Sequence, residues 1–342
     1  MISKADIRAE ADRLRAGFEA RGAAVFEADI LQPAGALLDL YGEDIRARAF
    51  VTHDPLRGEM MLRPDFTVPL VQRHLAHRIA PKYTYAGEVF RRQEDDDSRP
   101  REYIQVGFEV FGGGVDADAE VFAAMADALS GVPVTATIGD FGVLTTSIEA
   151  LDTTERRKRA LLRHIWRPAR FNALLDRYAR PAPPPPPMPD DSVPHVGLRS
   201  REDIAARIAV LEEEARTPPL SPDDLDLLRA LGRISETAPD AVAVLQTLGE
   251  VASSVRLAAT LDALADRGVD PSALRFQASF GLTSLEYYSG FVFGFTSNGH
   301  PPLATGGRYD LLTAALNGGV PCPAVGGVIR PEALLAAKGG AT

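Results

Sequence analysis

A carboxylate, a hydroxyl and an amide recur at short spacings in the first third of the chain. Asp65 and Thr67 stand two apart in Leu62-Arg-Pro-Asp-Phe-Thr, and Gln105, Gly107 and Glu109 alternate along Tyr103-Ile-Gln-Val-Gly-Phe-Glu-Val-Phe. Arg91 closes Tyr85-Ala-Gly-Glu-Val-Phe-Arg, and Tyr287 and Tyr288 are adjacent further on. These types suit the recognition of a free amino acid. Asp65 and Thr67 can receive an ammonium, Arg91 can face a carboxylate, and the Gln105 amide can serve either end group. Glu109 lies about 13 Å from Gln105 along an extended strand, and Gly107 between them leaves floor space. A carboxylate at one end of that floor suits an imidazole N–H, with a phenol from Tyr288 or Tyr287 for the other ring nitrogen. Each feature also has a structural alternative: Asp65 and Thr67 can cap a helix, Gln105 and Glu109 can lie on a solvated strand face, and one of the tyrosines can belong to the core.

The elements that must hold these groups can be read from periodicity. Ser3 with Asp6 caps a helix whose apolar positions are Ile7, Ala11, Leu14 and Phe18. A short helical pattern covers Leu70 to Ile79. Tyr83–Phe90 and Tyr103–Phe111 alternate as strands, which makes a long antiparallel hairpin with the acidic loop Glu94-Asp-Asp-Asp and sets Gln105, Gly107 and Glu109 on one face. Asp116–Leu129 reads as helix and Val132–Ile138 as strand. Residues 144–265 are mostly helical and are interrupted by a proline run at 181–189, an extended connector. Strands return at Arg275–Phe280, Leu285–Thr296 and Val325–Ile329, with short helices at Leu311–Leu316 and Glu332–Ala337, and Gly306-Gly307 fits a turn. The expected architecture is α+β: an antiparallel sheet flanked by helices, formed by 1–143 and 266–342, with 144–265 as a helical insertion.

Composition bounds the function. The chain has 342 residues, 37 Lys and Arg against 47 Asp and Glu, and a net charge of −10. That balance argues against a surface built to grip phosphate backbones, although it leaves room for a local basic patch. Cys322 is the only cysteine, so neither an intrachain disulfide nor a thiolate-rich metal site is available. None of the six histidines shows a ligand spacing, so no metal and no cofactor is expected; His74 and His77 merely share one helix turn. No apolar leader and no run of about 20 apolar residues stands in the sequence, and a cytoplasmic location away from membranes is expected.

Three stretches together resemble the class II aminoacyl-tRNA synthetase core of the histidyl type. They are Leu62-Arg-Pro-Asp-Phe-Thr; the pair Tyr85–Arg91 and Arg99–Glu109, similar to the motif 2 hairpin; and Leu285-Glu-Tyr-Tyr-Ser-Gly-Phe with Gly306-Gly-Arg-Tyr-Asp, similar to the two histidine signatures. Pro323-Ala-Val-Gly stands where motif 3 begins. The resemblance implies histidine binding by Asp65, Thr67, Arg91, Gln105, Glu109, Tyr287 and Tyr288.

The activation machinery departs from that pattern. Thr283 stands where the family has an arginine, Ala333 occupies the arginine position ending motif 3, and Gln93 replaces a glutamate. Losing one charge-stabilising donor costs roughly 10²–10³ in rate, and two would cost roughly 10⁴–10⁶ if additive, so no adenylating activity and no catalytic residue is expected. From the length, no anticodon-reading domain is expected. A synthetase-like core reduced in this way resembles the regulatory subunit family of ATP phosphoribosyltransferase. That resemblance implies a non-catalytic chain needed for the first step of histidine biosynthesis. Its partner would be a short-form catalytic subunit, its effector L-histidine acting by feedback, and its assembly a homodimer within a hetero-oligomer without nucleic acid. Two alternatives stay open: a truncated histidine-activating enzyme, which histidine-dependent ATP–pyrophosphate exchange would reveal, and a free-standing histidine sensor, which would not co-purify with a catalytic chain.

Overall fold

The computed structural model describes residues 2–35, 49–92, 100–188, 200–281 and 288–339. In chain order the described elements begin with α1 (Lys4–Glu19), β1 (Ala24–Val25), β2 (Leu31–Pro33), β3 (Val51–Asp54), β4 (Gly58–Leu62), α2 (Thr67–His77), β5 (Lys82–Phe90), β6 (Glu102–Phe111), α3 (Val115–Ala128) and β7 (Thr135–Asp140). Helices α4 (Phe141–Ala150), α5 (Glu155–His164), α6 (Pro168–Tyr178), α7 (Arg201–Arg216) and α8 (Pro222–Leu231) follow. The rest comprises β8 (Ser235–Thr237), α9 (Ala238–Thr247), α10 (Val251–Ala265), β9 (Arg275–Gln277), β10 (Phe291–Thr296), β11 (Ala304–Arg308), α11 (Asp310–Leu316), β12 (Ala324–Ile329) and α12 (Pro331–Gly339).

Local chemistry explains the start. Ser3 and Asp6 form a reciprocal capping box, with Ser3 Oγ accepting from the Asp6 N–H at 3.1 Å and Asp6 Oδ2 accepting from the Ser3 N–H at 3.1 Å. Helix α1 then buries Ala11, Leu14 and Phe18, and Phe18 stacks on Phe108 of β6 at 5.1 Å.

The chain divides into two compact units. Of the described residues, the first takes 2–142, 235–281 and 288–339, and the second 143–234. This corrects the expected extent of the insertion. Ser235–Ala265 belongs to the first unit, because β8 pairs with β9 and α10 packs its Leu257, Leu261 and Leu264 side inward, in contact with α3. A continuous helical pattern carries no signal for that change of allegiance.

The first unit is built on a nine-stranded sheet in the order β1-β5-β6-β12-β11-β10-β7-β9-β8. The sheet is mixed rather than purely antiparallel: β1–β5 and β7–β9 are parallel, and the other pairs antiparallel. Strands β2, β4 and β3 form a separate small sheet. Strand β6 is buried from Gln105 through Phe111, on both faces, so its alternation marks two covered faces and not one wet one. A ring cluster of Phe122 on α3 with Phe291, Phe293 and Phe295 on β10 fills the core beside it.

Two expected elements differ. The strand expected from Leu285 starts only at Phe291, and Tyr288 precedes it in irregular backbone. Gly306-Gly307 is no turn but the middle of β11, pairing with β10 on one side and β12 on the other. A Cβ on Gly306 would come within 2.4 Å of Phe293 Cζ and of the Gly326 carbonyl, so glycine is required by close packing.

The second unit is helical, α5 to α8 with α4 starting at its edge, and the proline run from Pro181 to Met188 is irregular and mostly exposed. Its centre is Arg157, which is wholly buried. Nε donates to Glu214 at 2.8 Å, Nη1 to the Pro218 carbonyl at 2.6 Å, and the guanidinium lies 4.9 Å from the Tyr178 ring centre.

Candidate functional site

The centre of the candidate site is Glu109 on β6, 2 % exposed and opposite Gly326 of β12. Its two oxygens are held separately. Tyr85 donates its hydroxyl to Oε1 at 2.9 Å, and Tyr309 donates to Oε2 at 2.8 Å. Burial, opposed by the two phenols, pushes the carboxyl up to about 7, and the nearby Asp65 charge adds to the rise. Near neutral pH this group is therefore available both as an acceptor and as a protonated donor, a useful property opposite an imidazole.

Glycines on the neighbouring strands create the room. The Glu109 side chain crosses Gly326 so closely that a Cβ there would fall 1.4 Å from Oε2. Tyr85 sits directly opposite Gly107 in the β5–β6 ladder, and its ring lies on that glycine, 2.0 Å from where a Cβ would stand. The space over Gly107, expected as floor for a ligand, is thus taken by Tyr85, whose other face stacks on Phe66 at 4.4 Å. Gly326→Ala should lower stability by about 1–3 kcal/mol through overpacking. Gly17→Ala, in open space on α1, should instead raise it by about 0.5–1 kcal/mol. Urea denaturation of the two variants checks both signs.

The remaining expected residues are placed as follows. Asp65 precedes α2, and its Oδ1 takes the Val68 N–H at 3.4 Å, while the N-cap position itself is Phe66 and carries no side-chain cap. Burial raises its carboxyl, and the Arg91 charge pulls in the opposite direction. Arg91 donates Nε to the Pro64 carbonyl at 2.8 Å, which anchors it beside Asp65. Thr67 is buried in the first turn of α2. Gln105 is 2 % exposed and sits opposite Gly87, and its amide makes no hydrogen bond to another described residue. A Cβ on Gly87 would meet Arg63 Nη2 at 2.7 Å. Tyr288 is buried, with Cδ1 2.9 Å from where a Gly307 Cβ would stand, and its ring is felt electrostatically by Tyr309. Tyr287, Thr283, Gln93 and the acidic run 94–97 lie outside the described residues.

Tyr85 and Tyr309, which hold Glu109 in the candidate site, are the residues that residue-by-residue reading missed. Both stand inside the stretches that carry the family resemblance, but nothing in one dimension says that they meet on one carboxylate. Next to Tyr309, Arg308 is fixed by Asp118, Nη2 to Oδ1 at 2.8 Å, and burial pushes the Asp118 carboxyl up to about 6 against the pull of that arginine. Ala333, at the position of a family arginine, is buried in α12 and brings no charge. Arg330 instead donates to the Pro302 carbonyl. His74 packs on Phe111 at 3.7 Å with Nδ1 3.3 Å from Tyr83 Oη. Among the described residues no group of three or more His, Cys, Asp or Glu is placed to hold a metal, and no helix is long and apolar enough to cross a membrane.

A family model described as histidyl-tRNA synthetase matches residues 4–181 and 197–334. The ATP phosphoribosyltransferase regulatory subunit of Sinorhizobium medicae (strain WSM419) is 32% identical, over 94% of this chain and 95% of its own. That of Brucella canis (strain ATCC 23365 / NCTC 10854 / RM-666) is 30% identical over 95% and 96%. Among solved structures, one described as an ATP phosphoribosyltransferase regulatory subunit/histidyl-tRNA synthetase from Bacillus halodurans superposes with a TM-score of 0.69 at 22% identity, covering 97% of this chain and 79% of the other. Histidyl-tRNA synthetase from Nostoc sp. PCC 7120 gives 0.65 at 20%, covering 98% and 72%. At those identities the structures bear on the fold alone, and the fold is the α+β core of the histidyl class II type. With near full-length sequence agreement added to that fold, the chain belongs to the family of ATP phosphoribosyltransferase regulatory subunits.

Proposed function

We propose that this chain is a non-catalytic partner of a short-form ATP phosphoribosyltransferase catalytic subunit. It is required there for the first step of histidine biosynthesis, and it conveys feedback by L-histidine. The observation that carries the reading is Glu109, a buried carboxylate oriented by two phenols and near Asp65, which Arg91 in turn faces. Histidine lies over the β6 face, its imidazole toward Glu109, its ammonium toward Asp65 and its carboxylate toward Arg91. Gln105, Thr67, Tyr287 and Tyr288 complete the set. The effector shifts the assembly by the difference between its contacts in the active and inhibited states, typically 1–3 kcal/mol or about 5–150-fold.

Activity of the co-expressed pair should require this chain and fall when histidine is added. By titration calorimetry the wild type should bind histidine and Glu109→Ala should not. Equal binding by both, or a catalytic chain indifferent to this one, would overturn the proposal.

A further inference from the structure

Tyr309 stands where no periodic element holds it. It follows the last residue of β11 and occupies the N-cap position of α11, with φ −134° and ψ 45°. Its hydroxyl nevertheless meets Glu109 Oε2 two strands away, across β12, at 2.8 Å. Reaching one oxygen over that span requires a fixed backbone, because a displacement of about 1 Å carries the pair beyond hydrogen-bond reach. The residues on either side supply the fixing. Arg308 aims its guanidinium at Asp118 on α3: Nη2 donates to Oδ1 at 2.8 Å, and Nε donates to Oδ1 at 3.0 Å and to Oδ2 at 3.3 Å. Nη2 also donates to the carbonyl of Gly114, the N-cap of α3, at 3.0 Å, and Nη1 to Asp310 Oδ1 at 3.3 Å. Asp310 Oδ1 accepts the Ala324 N–H at 2.8 Å, and the Ala324 carbonyl accepts the Tyr309 N–H at 2.9 Å. The Asp310 N–H donates to Ser289 Oγ at 2.9 Å, and the Ser289 N–H to the Arg308 carbonyl at 2.8 Å. The backbone around Tyr309 is thus tied to α3, to the start of β12 and to Ser289. The side chains of Arg308 and Asp118 are only 12 % and 7 % exposed. Such a pair is a weak device for stability, since apolar side chains of similar size often serve as well. A planar fork held at several points is a strong device for fixing a position.

We propose that Asp118 is a positioning residue for histidine recognition: by way of the Arg308 fork and Asp310 it holds the Tyr309 phenol on Glu109. The proposal rests on the reading above that Glu109 receives the imidazole. Asp118 stands on α3 behind Arg308 and reaches the site only through that arginine. Its work is done before the ligand arrives, by keeping the Glu109 carboxyl oriented in the empty site. With the fork loosened, the phenol leaves Oε2 in a share of the molecules, and apparent affinity falls by that share. The competing account is that Asp118 and Arg308 merely anchor α3 to the sheet. The two accounts differ in what the substitution does once the Tyr309 hydroxyl is already absent.

The test is a double-mutant cycle on the full chain, read as the Kd for L-histidine by titration calorimetry. Tyr309→Phe removes the phenol from Glu109 and should weaken binding about tenfold, the worth of one hydrogen bond to a charged group. Asp118→Asn keeps the shape and an acceptor for Arg308 but removes the charge that aligns the fork, and should weaken binding about fivefold. In the Tyr309→Phe background the same change should cost less than about twofold, because the contact it positions is already gone. Ser289→Ala is a gentler variant that removes only the hydroxyl receiving the Asp310 N–H. It should show the same pattern, and it carries the cycle if Asp118→Asn does not fold. 3-Fluorotyrosine placed at position 309 gives one ¹⁹F resonance in the ligand-free chain, and Asp118→Asn or Ser289→Ala should shift it. Equal losses in the two backgrounds, or a fluorine resonance that stays in place, overturn the positioning role while leaving the regulatory reading intact. A wild type that binds no histidine overturns both.

Discussion

Glu109→Gln is expected to lose most histidine affinity while becoming less sensitive to alkaline pH than the wild type. The sign follows from the carboxyl being raised from 4.5 to about 7 by burial, with the two phenols opposing. Between those values the folded chain holds a proton that the unfolded chain has released, so stability falls as pH rises through the window. Below pH 4.5 both states are protonated and the group contributes no penalty. Above pH 7 the full cost is present, on the order of 3 kcal/mol at about 1.4 kcal/mol per pH unit. Glutamine keeps the shape and cannot ionise. The difference in unfolding free energy between variant and wild type should therefore grow in the variant's favour from pH 5 to pH 8, as read by urea denaturation at each pH. Asp118, also raised, is common to both proteins and cancels. A difference that stays constant with pH would sink the assignment. Histidine affinity should drop about 10–150-fold, the worth of one hydrogen bond to a charged group.

The second large effect lies far from that carboxylate in sequence. Arg157→Leu should destabilise the helical unit by about 3–5 kcal/mol. The change strands Glu214 in a buried place and leaves the carbonyls of Pro218 and Thr217 without their guanidinium donor. Replacing both partners, Arg157→Leu with Glu214→Leu, should recover most of the loss, because apolar groups of similar size often substitute for a buried pair. A double-mutant cycle in urea gives the coupling directly. A single variant within 1 kcal/mol of wild type would mean that water reaches the arginine after all.

The hairpin and its Gln105–Glu109 spacing were legible because alternation is a property of consecutive residues. The depth of that strand was not: a strand covered on both faces and one wet on a single face can share the same alternating pattern. Gly306-Gly307 looked like turn chemistry, since two adjacent glycines are more often required by backbone angles than by a phenylalanine ring pressing from the next strand. The convergence of Tyr85 and Tyr309 on Glu109 depends on β12 lying between β6 and β11, a fact of sheet order that no local pattern encodes. Helices α9 and α10 were assigned by continuity to the wrong unit for a related reason. The partner of α10, α3, is more than a hundred residues away.

The strand order also bears on the timing of synthesis. Strands β10, β11 and β12 come from the last fifth of the described chain, yet they fill the middle of the nine-stranded sheet, between β6 and β7. Helix α1 finds its ion-pair partner Lys338 only when Glu10 has waited for 328 further residues. At about 5–20 residues per second that interval is on the order of half a minute. Until then the nascent chain holds two half-sheets with bare inner edges, β6 on one and β7 on the other, open to wrong pairings. Glu109 is made early and acquires Gly326 and Tyr309 last. A ribosome-bound chain halted before β10 should therefore be aggregation-prone and blind to histidine, and ligand binding would then serve as a readout that translation and closure of the sheet have both finished.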